Sequence, residues 1–342
     1  MRLLVTGGAG FIGSNVIQHV IDRPEVERLV NLDCLTYAGH LVNLTGVAAH
    51  PKYVFEKRDL RDKEAVREVI RRHSITHVMH LAAESHVDRS ISGPDDFIHT
   101  NVTGTFHLLE ACRAEWRQTG TAEGDAFRFL HVSTDEVFGS LGPEGYFTET
   151  TPYAPNSPYS ASKAASDMLV RAYHHTYGLP VVITNCSNNY GPYQFPEKLI
   201  PVVIGSLLER RPIPVYGDGM NVRDWLYVRD HAEALWQVLT RGAVGETYNV
   251  GGNNEWPNLR IIELMCDLVD ELAPQLGGGS RGLISFVTDR LGHDRRYAID
   301  ASKIREKLGW SPAYTFESGI RETVRWYLDN QEWVRTVLGK EA

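Results

Sequence analysis

The chain has 342 residues, 42% hydrophobic and 23% charged. That balance is typical of a folded globular protein and excludes disorder and collagen-like repeats. Lys plus Arg is 35 against 43 Asp plus Glu, a net charge of −8, which argues against a nucleic-acid or anionic-membrane binder. Cys34, Cys112, Cys186 and Cys266 lie far apart, so neither a disulfide frame nor a zinc site is expected, and no metal. The N-terminus reaches Gly7 before a signal-peptide core could form, and no apolar run approaches membrane-spanning length. The expectation is a cytoplasmic protein of a reducing compartment.

Short apolar runs at 3–6, 29–32, 53–55, 78–81, 129–132 and 181–184 predict strands. They lack polar alternation, as strands buried on both faces do. Helical patterns at 12–21, 63–73, 97–117 and 161–177 alternate with them. Strand and helix in repetition predict an α/β fold, a Rossmann-type doubly wound parallel sheet. From about Pro192 the rhythm changes: helices at 231–239 and 259–272 intervene, and the remaining strands read as isolated. Residues 1–190 are therefore expected to form one domain and 191–342 a smaller C-terminal α/β lobe, with some chain crossing between them. Gly277-Gly278-Gly279-Ser280 reads as an exposed loop.

Gly7-Gly8-Ala9-Gly10-Phe11-Ile12-Gly13 follows the first strand and opens the first helix. Gly7 permits the turn, Gly10 lets backbone approach a pyrophosphate, and Gly13 lets helix and strand pack closely. The helix N-terminus adds N–H groups and partial positive charge for phosphates. Asp33 ends the second strand, 20 positions after Gly13. There its carboxylate can accept bonds from ribose hydroxyls and would repel a 2′-phosphate, so NAD is expected over NADP.

Tyr159 and Lys163 are one helical turn apart and share a face. A tyrosine normally titrates near ~10, but a nearby ammonium and a nicotinium favour the phenolate, a base for an alcohol proton. The fifth strand runs into Ser133-Thr134-Asp135-Glu136-Val137-Phe138-Gly139. Ligands sit at strand carboxyl ends in such sheets. Two adjacent carboxylates there repel, so one can be held protonated, giving an acid and a base together, as elimination of water requires. A helix-capping acidic turn is the plainer reading of the same residues.

The Tyr159/Lys163 pair after such a glycine loop resembles the short-chain dehydrogenase/reductase superfamily, and the G-x-x-G-x-x-G loop with a large second lobe resembles its extended, nucleotide-sugar-modifying branch. Leu32–Gly39, Ala82–Ser90, Ser133–Gly139, Asn185–Pro201 and Arg223-Asp224-Trp225 resemble the dTDP-glucose 4,6-dehydratase family in particular. The similarity runs from Arg2 to about Leu308; Leu291 stands where many members have proline.

The resemblance implies that Tyr159, helped by Lys163, takes the proton from the glucose 4-hydroxyl, held by Thr134, as hydride leaves carbon 4. Glu136 then removes the carbon-5 proton, protonated Asp135 assists loss of the 6-hydroxyl, and hydride returns to carbon 6. It also implies a tightly held, regenerated NAD contacted by Gly7, Gly10, Phe11, Ile12, Gly13, Asp33, Leu35, Thr36, Asp59, Leu60, Leu81, Ala82, Ala83, Ser85, Thr100, Asn189, Tyr159 and Lys163. The nucleotide sugar, dTDP-glucose, would meet Ser85, Thr134, Asn188, Glu197, Lys198, Leu199, Pro214, Val215, Tyr216, Arg223, Asn258, Asp289, Arg290, His293 and Tyr297. A homodimer through the helices at 97–117 and 161–177 is implied as well. Two other readings share the scaffold: a dehydratase or 4-epimerase for another nucleotide sugar such as UDP-glucose, and a non-catalytic NAD-binding regulator. The Asp-Glu pair speaks against an epimerase, and the intact catalytic set against a regulator.

Overall fold

A computed structural model describes residues 1–118, 127–289 and 294–339. Its strands are β1 (Arg2–Thr6), β2 (Arg28–Asp33), β3 (Tyr53–Lys57), β4 (His77–His80), β5 (Arg128–Thr134), β6 (Val181–Cys186), β7 (Asn188–Tyr190), β8 (Ile213–Tyr216), β9 (Val222–Tyr227), β10 (Thr247–Val250), β11 (Glu255–Pro257) and β12 (Ile284–Val287). Seven form one parallel sheet in the order β10-β6-β5-β4-β1-β2-β3. Strand order reverses beside β1, so its carboxyl end and that of β4 splay apart into a ligand crevice. Leu3, Leu4 and Val5 are fully buried, as expected of a strand covered on both faces.

Helix Phe11–Val20 sits on one face and buries Val16, Ile17 and Val20. Helices Lys63–Arg72 and Thr105–Gln118 pack together on the other, where Val66, Val69, Leu108 and Leu109 join one apolar cluster. The helix expected over 97–117 opens as a wide π turn, Ile98–Gly104. Such turns often mark functional sites. Asn101 lies in it, binds both backbone groups of Glu84 and donates to Ser162 Oγ at 2.8 Å. The wide turn is thereby tied to the loop after β4 and to helix Pro158–Tyr177. That helix starts earlier than expected because Ser157 and Ser160 form a reciprocal cap around Pro158.

The C-terminal half does not stay apart from the sheet. Helix Val228–Arg241 packs on helix Phe11–Val20, with Glu233 taking His19 at 2.7 Å and Arg23 at 2.6 Å. It leads into β10, which pairs with β6 as the seventh strand rather than standing isolated. The other strands build a three-stranded sheet, β11-β9-β7, and a parallel pair, β12-β8. Their core is aromatic, with Tyr190 in ring contact with Trp225, Tyr227 and Phe316. Gly277, Gly278 and Gly279 take positive φ. Ser280, expected in an exposed loop, is instead buried, held by Asp270 through both its N–H and hydroxyl.

Candidate active site

A cavity of about 1040 Å³ opens at the carboxyl ends of β1, β4 and β5 and runs beneath the C-terminal elements. Its sheet-side wall is the glycine loop. Gly7 adopts φ 71°, and a Cβ there would lie 2.7 Å from Ala82 Cα. At Gly13 a Cβ would lie 2.2 Å from Gly7 O, so only glycine lets this helix start so close to the strand. At Gly10 the nearest atom to a Cβ is Gly7 O, at 3.3 Å, and Gly10 lines the cavity. No side chain caps the helix that Gly10 begins, so the first-turn N–H groups are left for a ligand. These features fit a pyrophosphate. Gly13→Ala should cost about 1–3 kcal/mol in strain and lower NAD affinity at least about tenfold, as read by fluorescence titration. Unchanged affinity would refute the close-approach argument.

Asp33 lines the same wall; its oxygens accept Ala9 N at 2.9 Å and Leu35 N at 2.8 Å. Burial raises its proton affinity and the two backbone bonds oppose this. Lone pairs remain for ribose hydroxyls. Phe11, Ile12, Thr36, Asp59, Leu60, Leu81, Ala82, Ala83, Ser85, Thr100 and Asn189 also line the cavity. Leu35 does not. It takes a φ of 59°, and its N–H holds Asp33.

The chemical residues meet on the β5 side. Thr134, Glu136, Tyr159 and Lys163 line the cavity together. Asp135, expected beside them, lies behind that wall at 1% exposure, its Oδ2 without a hydrogen-bond partner and its Oδ1 accepting Thr134 Oγ1 at 3.3 Å. Burial raises the Asp135 pKa well above the usual carboxylate range, and the charges of Glu136 and Asp224 push the same way. Desolvation thus outweighs the pair repulsion that the sequence suggested. Asp224 is an additional buried carboxylate, anchored by Gly252 N and Asn254 N.

A stability effect follows for Asp135. A carboxyl whose folded pKa is raised contributes stability below its unfolded pKa, ~3.9, and loses it as pH rises. Asp135→Asn should therefore gain stability relative to the native protein from pH 4 to pH 8, as parallel melting curves can test. A gain that shrinks over that range would contradict a protonated Asp135.

Opposing influences meet at Tyr159. Burial pushes its hydroxyl well above ~10, Glu136 adds to that, and Thr134 opposes it by a hydrogen bond. The Lys163 ammonium donates to Val132 O at 2.9 Å, and burial lowers its own pKa. In the protein alone the phenol keeps its proton.

Toward the C-terminal elements, Asn188, Glu197, Lys198, Leu199, Pro214, Tyr216, Arg223, Asn258 and Tyr297 line the cavity. Asn258 Oδ1 is buried without a hydrogen-bond partner, as befits a polar ligand, and Glu197 Oε2, likewise without a hydrogen bond, lies 3.7 Å from Arg89 and 3.8 Å from His86. Arg223 lies 4.2 Å from the centre of the Tyr297 ring and donates to Asp294 O. Val215 faces the core instead, because β8 alternates and Pro214 and Tyr216 take the cavity side. Asp289 is exposed beside Gly217, away from the cavity lining. Arg290 and His293 lie outside the described residues. Residues not anticipated also contribute: Tyr37 donates to Glu197 and lies under Arg89, linking the lobes across the cavity. Among the described residues no His, Cys, Asp and Glu cluster could hold a metal ion.

A glycine loop at the switch point of a parallel sheet, facing a Tyr/Lys pair on one helix, defines an NAD-binding enzyme of the extended short-chain dehydrogenase/reductase type. The sequence model of GDP-mannose 4,6 dehydratase matches residues 4–323, and the chain belongs to that family. It is 59% identical to the dTDP-glucose 4,6-dehydratase of Neisseria meningitidis, over 98% of this chain and 96% of that one. It is 55% identical to the Salmonella typhimurium enzyme of the same name, over 98% and 95%. The dTDP-glucose 4,6-dehydratase DesIV of Streptomyces venezuelae, solved with NAD and a second ligand, superposes with a TM-score of 0.90 at 44% identity, covering 98% of this chain and 100% of that one. A Thermotoga maritima UDP-glucose 4-epimerase reaches 0.85 at 26% identity, over 97% and 100%, so the fold alone does not choose the reaction.

Proposed function

We propose that this chain is an NAD-dependent hydro-lyase that converts dTDP-glucose to dTDP-4-keto-6-deoxy-glucose. The observation that carries the reading is the group at the end of β5: Thr134, Glu136 and Tyr159 on one cavity wall, with the buried acid Asp135 hydrogen-bonded to Thr134. Bound NAD supplies a hydride acceptor at carbon 4 and a donor at carbon 6, and ends the cycle unchanged.

Tyr159 is the base for the 4-hydroxyl, and Lys163 favours its phenolate through positive charge. The resulting ketone acidifies the carbon-5 proton, which Glu136 takes. Asp135, held protonated by burial, is the acid for the departing 6-hydroxyl, and Thr134 on the cavity wall donates to its Oδ1. An epimerase has no elimination step and needs no such acid–base pair. Glu197 and Asn258 offer acceptors, and Arg223 a fork for phosphate oxygens.

Product analysis after separate incubation with dTDP-glucose and UDP-glucose tests the reading. The expected result is a 4-keto-6-deoxy sugar from dTDP-glucose, with a preference of about tenfold or more, because one methyl contributes about 1–3 kcal/mol in an apolar pocket. A 4-epimer as product would overturn it. Denaturation should release NAD and not NADP.

The same reading includes a cytoplasmic homodimer. All four cysteines are free thiols, as a reducing compartment leaves them. No described helix is long and apolar enough to cross a membrane. Ile98, Phe106 and Met168, on the segments Ile98–Gly104, Thr105–Gln118 and Pro158–Tyr177, expose 48%, 37% and 49% of their surface. A second copy would cover them in a two-fold contact. Sedimentation at micromolar concentration should give twice the chain mass, and Met168→Glu should shift it toward one chain; a native monomer would remove the claim.

A further inference from the structure

One turn beyond Lys163, on the same helix, stands Asp167, which no step above uses. It is 1% exposed, yet its carboxylate meets three partners. Ser133 Oγ donates at 2.7 Å, Tyr153 OH donates at 2.9 Å, and His131 Nε2 lies 3.0 Å away. His131 Nδ1 is buried without a hydrogen-bond partner, which fits a neutral ring donating through Nε2. His131 and Ser133 point to one face of β5, and the carbonyl of Val132 between them accepts Lys163 Nζ. Two successive turns of the helix thus grip the last three strand residues before Thr134, Asp135 and Glu136.

The charges make a second, separate argument. Lys163 is 5% exposed, and a buried ammonium is costly without an opposite charge nearby. The titratable groups facing it are His80 on β4, His131 on β5, Cys186 on β6, and Tyr159 and Asp167 on its own helix. Burial keeps both histidines neutral, with the Lys163 charge adding to it, and burial pushes the Cys186 thiol up to about 12. Against the burial of Lys163, the Asp167 charge is the largest opposing influence.

We propose that Asp167 is a positioning residue of this reaction: the buried counter-charge of Lys163 and the tether of the strand end that carries Thr134 and Glu136. The assignment rests on the dehydratase reading for its role in turnover, but its electrostatic part concerns the protein alone.

The test is the titration of Lys163 in NAD-loaded protein carrying 13C-labelled lysine, with Lys163→Met to assign the signal. In Asp167→Asn, which can still accept from Ser133 and Tyr153, the Lys163 midpoint should fall by about one pH unit or more. Asp167→Glu should restore part of it. With dTDP-glucose, the alkaline fall in kcat/KM should begin at correspondingly lower pH in Asp167→Asn. An unchanged Lys163 midpoint would overturn the proposal, as would a uniform loss of activity with no change in the pH limb. If Asp167→Asn gives no soluble protein, Asp167→Ser decides by the same lysine titration: its Lys163 midpoint should fall likewise, and an unchanged midpoint refutes the counter-charge. Failure of native protein to dehydrate dTDP-glucose would sink the reaction reading instead, while the lysine titration still judges Asp167.

Discussion

Tyr159→Phe is expected to lower turnover of dTDP-glucose by about 10²–10⁴-fold, the usual worth of a positioned acid–base group. The substitution removes one oxygen and leaves the ring, which is 8% exposed and set edge-on to Phe97 at 6.3 Å. Packing is kept, so melting temperature and NAD content should match the native protein. What is lost is the group that accepts the 4-hydroxyl proton. Without it no ketone forms at carbon 4, and every later step waits on that ketone. Rapid quenching should recover unchanged dTDP-glucose, with neither 4-keto sugar nor 4-keto-6-deoxy product. Because burial and Glu136 hold the phenol protonated, the native rate should also rise with pH on its acid side, and this limb should vanish in the variant. Product at the native rate from Tyr159→Phe would remove it as the base.

Much of this site was legible because its chemistry depends on local spacing. Gly7, Gly10 and Gly13 act within one turn and one helix start, and Tyr159 and Lys163 are related by helical pitch, so seven and five residues of sequence suffice to see them. The sheet was legible for a similar reason: buried parallel strands are written as uninterrupted apolar runs. Strand β10 was not, since Thr247-Tyr248-Asn249-Val250 is short and half polar, and its place beside β6 follows from the docking of helix Val228–Arg241. The core-side place of the Val215 side chain was readable in the alternation of Ile213-Pro214-Val215-Tyr216. Asp224 and Asp167 were invisible for a deeper reason. Their effects run through space to Asp135 and Lys163, and no sequence spacing reports which buried charges face each other. The same holds for the state of Tyr159, where burial in the protein alone opposes the phenolate that a nearby ammonium and a nicotinium favour.

Glu136→Gln should separate oxidation from elimination. The substitution keeps size and hydrogen bonding but removes the base for the carbon-5 proton, while Tyr159 and Thr134 remain on the cavity wall. Oxidation at carbon 4 can therefore proceed and the sequence stalls behind it. A rapid quench should recover dTDP-4-keto-glucose, with 4-keto-6-deoxy product falling about 10²–10⁴-fold. Solvent deuterium gives an independent readout, because native enzyme in deuterated water should place one deuterium at carbon 5, and the variant should exchange that position far more slowly. Hydrogen at carbon 6 should still derive from carbon 4 in whatever product forms. Asp135→Asn should behave differently: carbon-5 exchange survives because Glu136 is intact, but the 6-hydroxyl lacks its acid and departs slowly. The pair of variants thus distinguishes a base on the cavity wall from an acid behind it, the arrangement in which Glu136 lines the cavity and Asp135 is 1% exposed. If Glu136→Gln and Asp135→Asn lost carbon-5 exchange equally, the two carboxylates would have to be treated as one shared proton site rather than as base and acid.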